Sequence, residues 1–140
     1  MSLVTRSLGV AAFAAALIAV QPEARAHHAF SAEFDIAQPV ELKGVVTKLQ
    51  WTNPHSWLYV DVADSSGAVT TWAVEFGSPY ALVRKGLRKT DFPLGVAVSV
   101  HGYRARSGKP IANASNVTLA DGRGFYTAAE DVPSAAAAAE

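Results

Sequence analysis

Between Val40 and Leu119 apolar and polar residues alternate over most of the chain, and the phase of that alternation marks out the elements. In VELKGVVTKLQW (40–51), Val40 and Leu42 share one face, whereas after Gly44 the apolar set becomes Val45, Leu49 and Trp51. A glycine at a change of phase predicts a β-bulge in a strongly bent first strand. TNPHS (52–56) supplies turn chemistry. WLYVDVAD (57–64) then alternates cleanly, with Leu58, Val60 and Val62 on one face and Trp57, Tyr59 and Asp61 on the other. Ser65-Ser66-Gly67 marks a hairpin turn, and VTTWAVEF (69–76) puts Trp72, Val74 and Phe76 inward. The first three strands read as an antiparallel meander.

The period then changes. Ser78 followed by Pro79 is an N-cap and first-turn pair. Leu82, Val83 and Leu87 follow at helical spacing, with Arg84, Lys85, Arg88 and Lys89 on the remaining surface. Gly86 weakens such a helix by up to about 1 kcal/mol relative to alanine, so a short helix is expected. After DFPLG (91–95), VAVSVHGYRAR (96–106) alternates again, with Val96, Val98 and Val100 inward and Ser99, His101 and Tyr103 outward. ANASNVTL (112–119) closes the set. The class is mainly β. The order β-β-β-α-β-β, with a bent first strand and one short helix, predicts a small five-stranded OB-like barrel. An open antiparallel sheet crossed by one helix is the alternative.

The ends of the chain do not belong to this pattern. MSLVTRSLGVAAFAAALIAVQPEARA has a short basic region with Arg6, an apolar run from Leu8 to Val20 and a small-x-small site at Ala24-Arg25-Ala26. That is the layout of a cleavable secretory signal over residues 1–26. The apolar run falls short of the roughly 20 residues a spanning helix needs, which disfavours a lasting membrane anchor. The sequence therefore predicts an exported protein, periplasmic or secreted. Residues 27–37 are expected to fold back on the barrel, 38–126 to form the β domain, and the alanine-rich 127–140 to be a disordered tail.

Charge narrows the partners. The chain carries twelve basic and twelve acidic side chains. Loss of Arg6, Arg25 and Glu23 with the signal would leave ten against eleven. A domain so nearly neutral has no electrostatic reason to bind nucleic acid. The chain has no cysteine, which removes disulfides, thiolate nucleophiles and cysteine-based metal sites together. The basic set Arg84, Lys85, Arg88 and Lys89 reads as a solvated helix face.

Four segments together resemble a known group: HHAF directly after the signal, GVVTKLQWTNPHSWLYVDV, WAVEFGSPYALVRKGLRK and HGYRARSGKPIANASNVTLADGR. They are similar to small exported bacterial proteins classed as a domain of unknown function, which typically open with His-His-Ser-Phe and carry Trp-Thr-Asn-Pro-His. Ala29 stands where that group often has serine. The resemblance implies export and a single domain, and it brings no activity. A bacterial source would also make the two glycosylation-like triplets at Asn113 and Asn116 irrelevant.

Two chemistries remain. Cleavage after Ala26 would give His27 a free α-amine as well as an imidazole, and the two can chelate one metal ion. A third nitrogen, from His55 or His101, would complete a T-shaped brace suited to copper(II). His28 is a further candidate, although adjacent residues rarely aim both rings at one ion. The opposing reading is a surface histidine patch, with His55 only bracing its turn. Second, the outward Trp57 and Tyr59 could stack on a glycan or meet a protein partner. Against that, the segment HHAFSAEFDIAQ is expected to cover this face with Phe30, Phe34 and Ile36. Asp35, Glu41, Asp61 and Glu75 are scattered, and no nucleophile elbow, phosphate loop or paired-carboxylate site is present. The expectation is a binding protein and not an enzyme.

Overall fold

The computed structural model describes residues 30–128. Residues 1–29, which include the expected signal segment, His27 and His28, and residues 129–140 lie outside the described residues. After a helical turn at 30–33, the strands are β1 (Phe34–Gln50), β2 (Ser56–Ala63), β3 (Val69–Phe76), β4 (Ala97–Ala105), β5 (Ile111–Leu119) and β6 (Gly124–Tyr126). The helix α1 (Pro79–Arg84) and a 3-10 turn (Lys89–Asp91) lie between β3 and β4. One sheet contains all six strands in the order β3-β2-β1-β4-β5-β6, its neighbours antiparallel, and β3 also pairs with β5 in parallel. The expected strand count of five is one short, because Gly124–Tyr126 pairs with β5. Three residues are too few to show a period. The single expected helix is joined by the 3-10 turn.

β1 is long because it serves two partners. Its first part pairs with β4 as far as Val45, and its second part pairs with β2 from Val45 onward. The change of phase does not sit at Gly44, as the sequence pattern suggests. Leu42 and Val46 are both buried, while Val45 is 43% exposed, so alternation runs through the glycine. The register shifts lie between Val46 and Lys48 and between Asp35 and Pro39. Gly44 has a different purpose: an added Cβ would stand 2.1 Å from the Asp61 carbonyl oxygen. Only a residue without a side chain lets β1 and β2 approach this closely.

The main core gathers Leu58, Val60, Val74, Phe76, Val100 and Val117, all essentially inaccessible to solvent, from the strands' inner faces. α1 closes over it. Ser78 caps the helix, its Oγ accepting from the Ala81 N–H, and Pro79 occupies the first turn. The Leu87 N–H donates to the Leu82 carbonyl, and the Gly86 N–H donates to the Val83 carbonyl. With Gly86 at φ +90°, this is a Schellman ending, in which Leu82 and Leu87 meet as a fully buried pair. Gly86 thus ends the helix; it does not weaken its interior. Val83, placed inward by spacing, is 51% exposed because the helix stops before its periodicity is fulfilled. Among the described residues no helix is long and apolar enough to cross a membrane.

A second, smaller core lies outside the first. Phe30 and Phe34 stack with centroids 5.4 Å apart, and Phe30 meets Tyr103 edge-on at 6.1 Å. Ala105 and Ala128 complete this cluster. Tyr103, expected outward, does point away from the main core but is covered by this cluster. Packing also continues beyond Tyr126. Thr127 and Ala128 are buried, and the Thr127 Oγ1–H donates to the Ala114 carbonyl.

Candidate functional site

Period-two alternation sends Leu58, Val74 and Ala112 into the main core, so their strand neighbours face outward. Cross-strand pairing joins those neighbours into a row. Trp57 pairs with Glu75, Glu75 with Asn113, and Asn113 with Tyr103. Gly102 brings β4 close beneath this row, since a Cβ there would lie 2.1 Å from the Asn113 carbonyl oxygen. The parallel β3–β5 pairing is what puts Glu75 beside Asn113, and no sequence spacing could announce it.

The turn between β1 and β2 adds His55. It contains a cis peptide at Asn53-Pro54, the Thr52 Oγ1–H donates to the His55 carbonyl, and the Ser56 N–H donates to the Gly77 carbonyl at 3.1 Å. His55 Nδ1 pairs with Glu75 Oε1. The carboxylate is 8% exposed and the imidazole 44%, so the ring bridges a buried charge and solvent. Burial pushes the Glu75 carboxyl above its ordinary value, the charge of Glu33 adding to this, while His55 and a hydrogen bond from Asn113 pull the other way. Asn113 Oδ1 is itself buried and accepts no hydrogen bond among the described residues. A nitrogen beside a carboxylate carries the proton when the contact is attractive, so in the neutral tautomer that donates from Nδ1 the lone pair lies on Nε2. That leaves His55 oriented, with one ring nitrogen available to a metal or a donor. Carboxylate-held histidines of this kind are the usual metal-ligating arrangement.

The N-terminal strap arrives from the other end of the row. Phe30 rests on Tyr103, one strand from Asn113. Arg106 fastens the strap: its backbone N–H donates to the Glu33 carbonyl at 2.8 Å and its Nε–H to the Ser31 carbonyl at 2.7 Å. Its guanidinium also lies 3.5 Å from Asp35. Beside the strap, Ala32, Glu33, Ala105, Arg106, Ser107 and Ile111 line a cavity of about 400 Å³.

The other expected site residues fall as follows. His101 is exposed on β4, opposite Glu41. Trp57 and Tyr59 are half-buried on β2. The Tyr59 hydroxyl donates to Gln50 Oε1 at 2.7 Å, and the Lys48 ammonium lies 4.9 Å from the Tyr59 ring centre. The strap does not cover this face as expected: Phe30 and Phe34 pack against β4, and Ile36 is 48% exposed. The register of β1, whose Phe34 pairs with Ala105, carries the strap to β4. Among the described residues no three histidine, aspartate or glutamate side chains gather in a way that could hold a metal ion. Glu75 and Asn113 are the residues the sequence reading passed over. The only hint was a carboxylate between Val74 and Phe76 in the apolar second half of β3.

Residues 14–114 match a family described as a family of unknown function (DUF6152). No curated protein and no solved structure matches the chain.

Proposed function

The chain belongs to this family of unknown function, and we propose that it is an exported binding protein holding copper(II) between His27 and His55. In this reading the signal is cut after Ala26, and His27 supplies its amine and one imidazole nitrogen. His55 supplies Nε2 as the third ligand. The domain is read as an OB-like barrel, a reading supported by the β3–β5 pairing that returns the strand order to its start. The observation that carries the proposal is the His55–Glu75 pair, which orients one imidazole and leaves its other nitrogen available. Covalent geometry supports it too. Phe30 is three residue steps from His27, a span of at most about 11 Å, and Phe30 sits on the row that contains Glu75. Among the described residues His101 has no buried carboxylate partner and is the weaker candidate; His28 is given no ligand role. The only methionine is Met1 and there is no cysteine, so an all-nitrogen copper(II) site is favoured over a sulfur-ligated copper(I) site.

The test is copper titration with electron paramagnetic resonance on protein exported from a bacterial host, its N-terminus checked by intact mass. Nitrogen hyperfine structure is expected, with at least a tenfold loss of affinity in His55→Ala and little change in His101→Ala. Adding one glycine before His27 should weaken binding at least tenfold by removing the amine from the chelate. Equal affinity with and without that glycine overturns the reading. That result would favour a non-metal module in which Trp57 and Tyr59 meet a glycan or protein.

A further inference from the structure

We propose that the connection between β3 and β4 docks on the anionic surface of a phospholipid bilayer, through Arg84, Arg88 and Lys89 beside an exposed Tyr80 and Val83. None of the residues of the copper reading takes part. Between Glu75 and Asp91 the chain carries Arg84, Lys85, Arg88 and Lys89 and no acidic residue, although its charges balance overall. The fold divides these four. Lys85 is engaged internally: its ammonium donates to the Ala128 carbonyl at 2.9 Å and lies 4.6 Å from the Tyr126 ring centre. Arg84, Arg88 and Lys89 are exposed. Nearby, Asp91 and Asp121 both pair with Arg123, at 2.8 and 2.7 Å, which leaves one net negative charge against three exposed cations.

The same connection is unusually apolar on its outside. Of the six large hydrophobic side chains exposed among the described residues, it holds three: Tyr80 at 71%, Val83 at 51% and Leu94 at 73%. Burial of Leu82 and Leu87 fixes which side of α1 faces the core, so Tyr80, Val83 and Arg84, at i, i+3 and i+4, share the outer side. The Arg84 guanidinium lies 5.7 Å from the Tyr80 ring centre, so charge and ring are presented together. An anionic bilayer accepts both parts: headgroups pair with the cations, while the ring and the aliphatic side chain enter the interface. Nucleic acid would use the cations and leave the apolar side chains in water. An acidic protein would need a matching contour, whereas a fluid bilayer adapts to the small surface that a six-residue helix presents. The contact is reversible, each cation contributing about fivefold to partitioning.

Co-sedimentation of the exported protein with lipid vesicles tests this. Partitioning onto vesicles of phosphatidylcholine with phosphatidylglycerol should exceed that onto phosphatidylcholine alone by about tenfold or more. Raising salt from about 0.1 M to about 1 M should remove most of the difference. The triple variant Arg84→Gln, Arg88→Gln, Lys89→Gln should lose about tenfold or more, whereas Lys109→Gln, which removes an exposed cation from the β4–β5 turn, should stay within a factor of about five. Tyr80→Ser with Val83→Ser should lose about threefold or more while keeping the salt dependence. Every replaced side chain is exposed, so circular dichroism melts should match wild type. Equal partitioning of wild type on both vesicle types, or of wild type and the triple variant, overturns the proposal. If the Tyr80 and Val83 variant partitions like wild type, the bilayer has no advantage over any other polyanion and the proposal falls. Retention of wild type on immobilised polyglutamate without partitioning onto either vesicle also overturns it, and assigns the patch to an acidic protein.

Discussion

Replacing Gly44 with alanine tests most directly how the first strand can serve two partners. The added Cβ would lie 2.1 Å from the Asp61 carbonyl oxygen and 2.8 Å from Val60 Cγ1. Contacts under 3.0 Å essentially never occur, so β1 and β2 would have to part by about 0.9 Å (3.0 − 2.1). The obstacle is backbone, which cannot rotate aside as a side chain could. A ladder hydrogen bond of about 2.9 Å stretched by that amount passes out of bonding range. Overpacking costs about 1–3 kcal/mol, and a lost ladder bond about 1 more. For a domain of this size each kcal/mol lowers Tm by about 4–8 °C, so the sum of about 2–4 kcal/mol gives an expected fall of roughly 8–32 °C. Thermal unfolding followed by circular dichroism, with urea midpoints as a second probe, measures it. Gly124→Ala is the control, since its nearest neighbour would lie 3.9 Å away and its backbone is not left-handed. A Gly44→Ala protein melting within about 3 °C of wild type would refute the close-approach argument and restore the view of Gly44 as an ordinary bulge glycine.

Glu75→Gln tests the buried carboxylate. Burial raises the folded-state pKa above the ordinary 4.5, so the folded protein holds this proton more tightly than the unfolded chain does. The resulting stability is complete below about pH 4.5 and is lost as pH rises through the raised value. Urea midpoints of Glu75→Gln should accordingly change less with pH above 4.5 than those of wild type; parallel curves would sink the assignment. The same variant should weaken copper binding by about 10–100-fold, the usual cost of losing a ligand's orienting partner. Gly86→Ala places a side chain at φ +90° where the nearest atom is 3.6 Å away. Its expected cost is conformational, about 1–2 kcal/mol, read as a shift of urea midpoint with unchanged m-value.

Local chemistry was legible along the chain wherever one element's own residues decided the outcome. Leu58 and Val60 alternate with Trp57 and Tyr59 because neighbouring side chains on a strand point to opposite faces. Ser78-Pro79 starts a helix because a hydroxyl and a fixed φ satisfy its first turn. The sequence alone also carried the family resemblance and the near-neutral charge. It was misleading where two elements share one residue. Gly44 looked like a bulge because its neighbours change phase, but its role depends on Asp61 of another strand. Tyr103 read only as outward because nothing nearby in sequence covers it; Phe30, far away along the chain, does. His55 was named from the sequence, but its buried partner belongs to this second kind. Glu75 becomes a buried carboxylate between His55 and Asn113 only after β3 has found β5. That pairing joins segments nearly forty residues apart in register, Glu75 with Asn113. A carboxylate's solvation and charge partners are fixed by what surrounds it in space, so only the tertiary structure could distinguish this glutamate from the others.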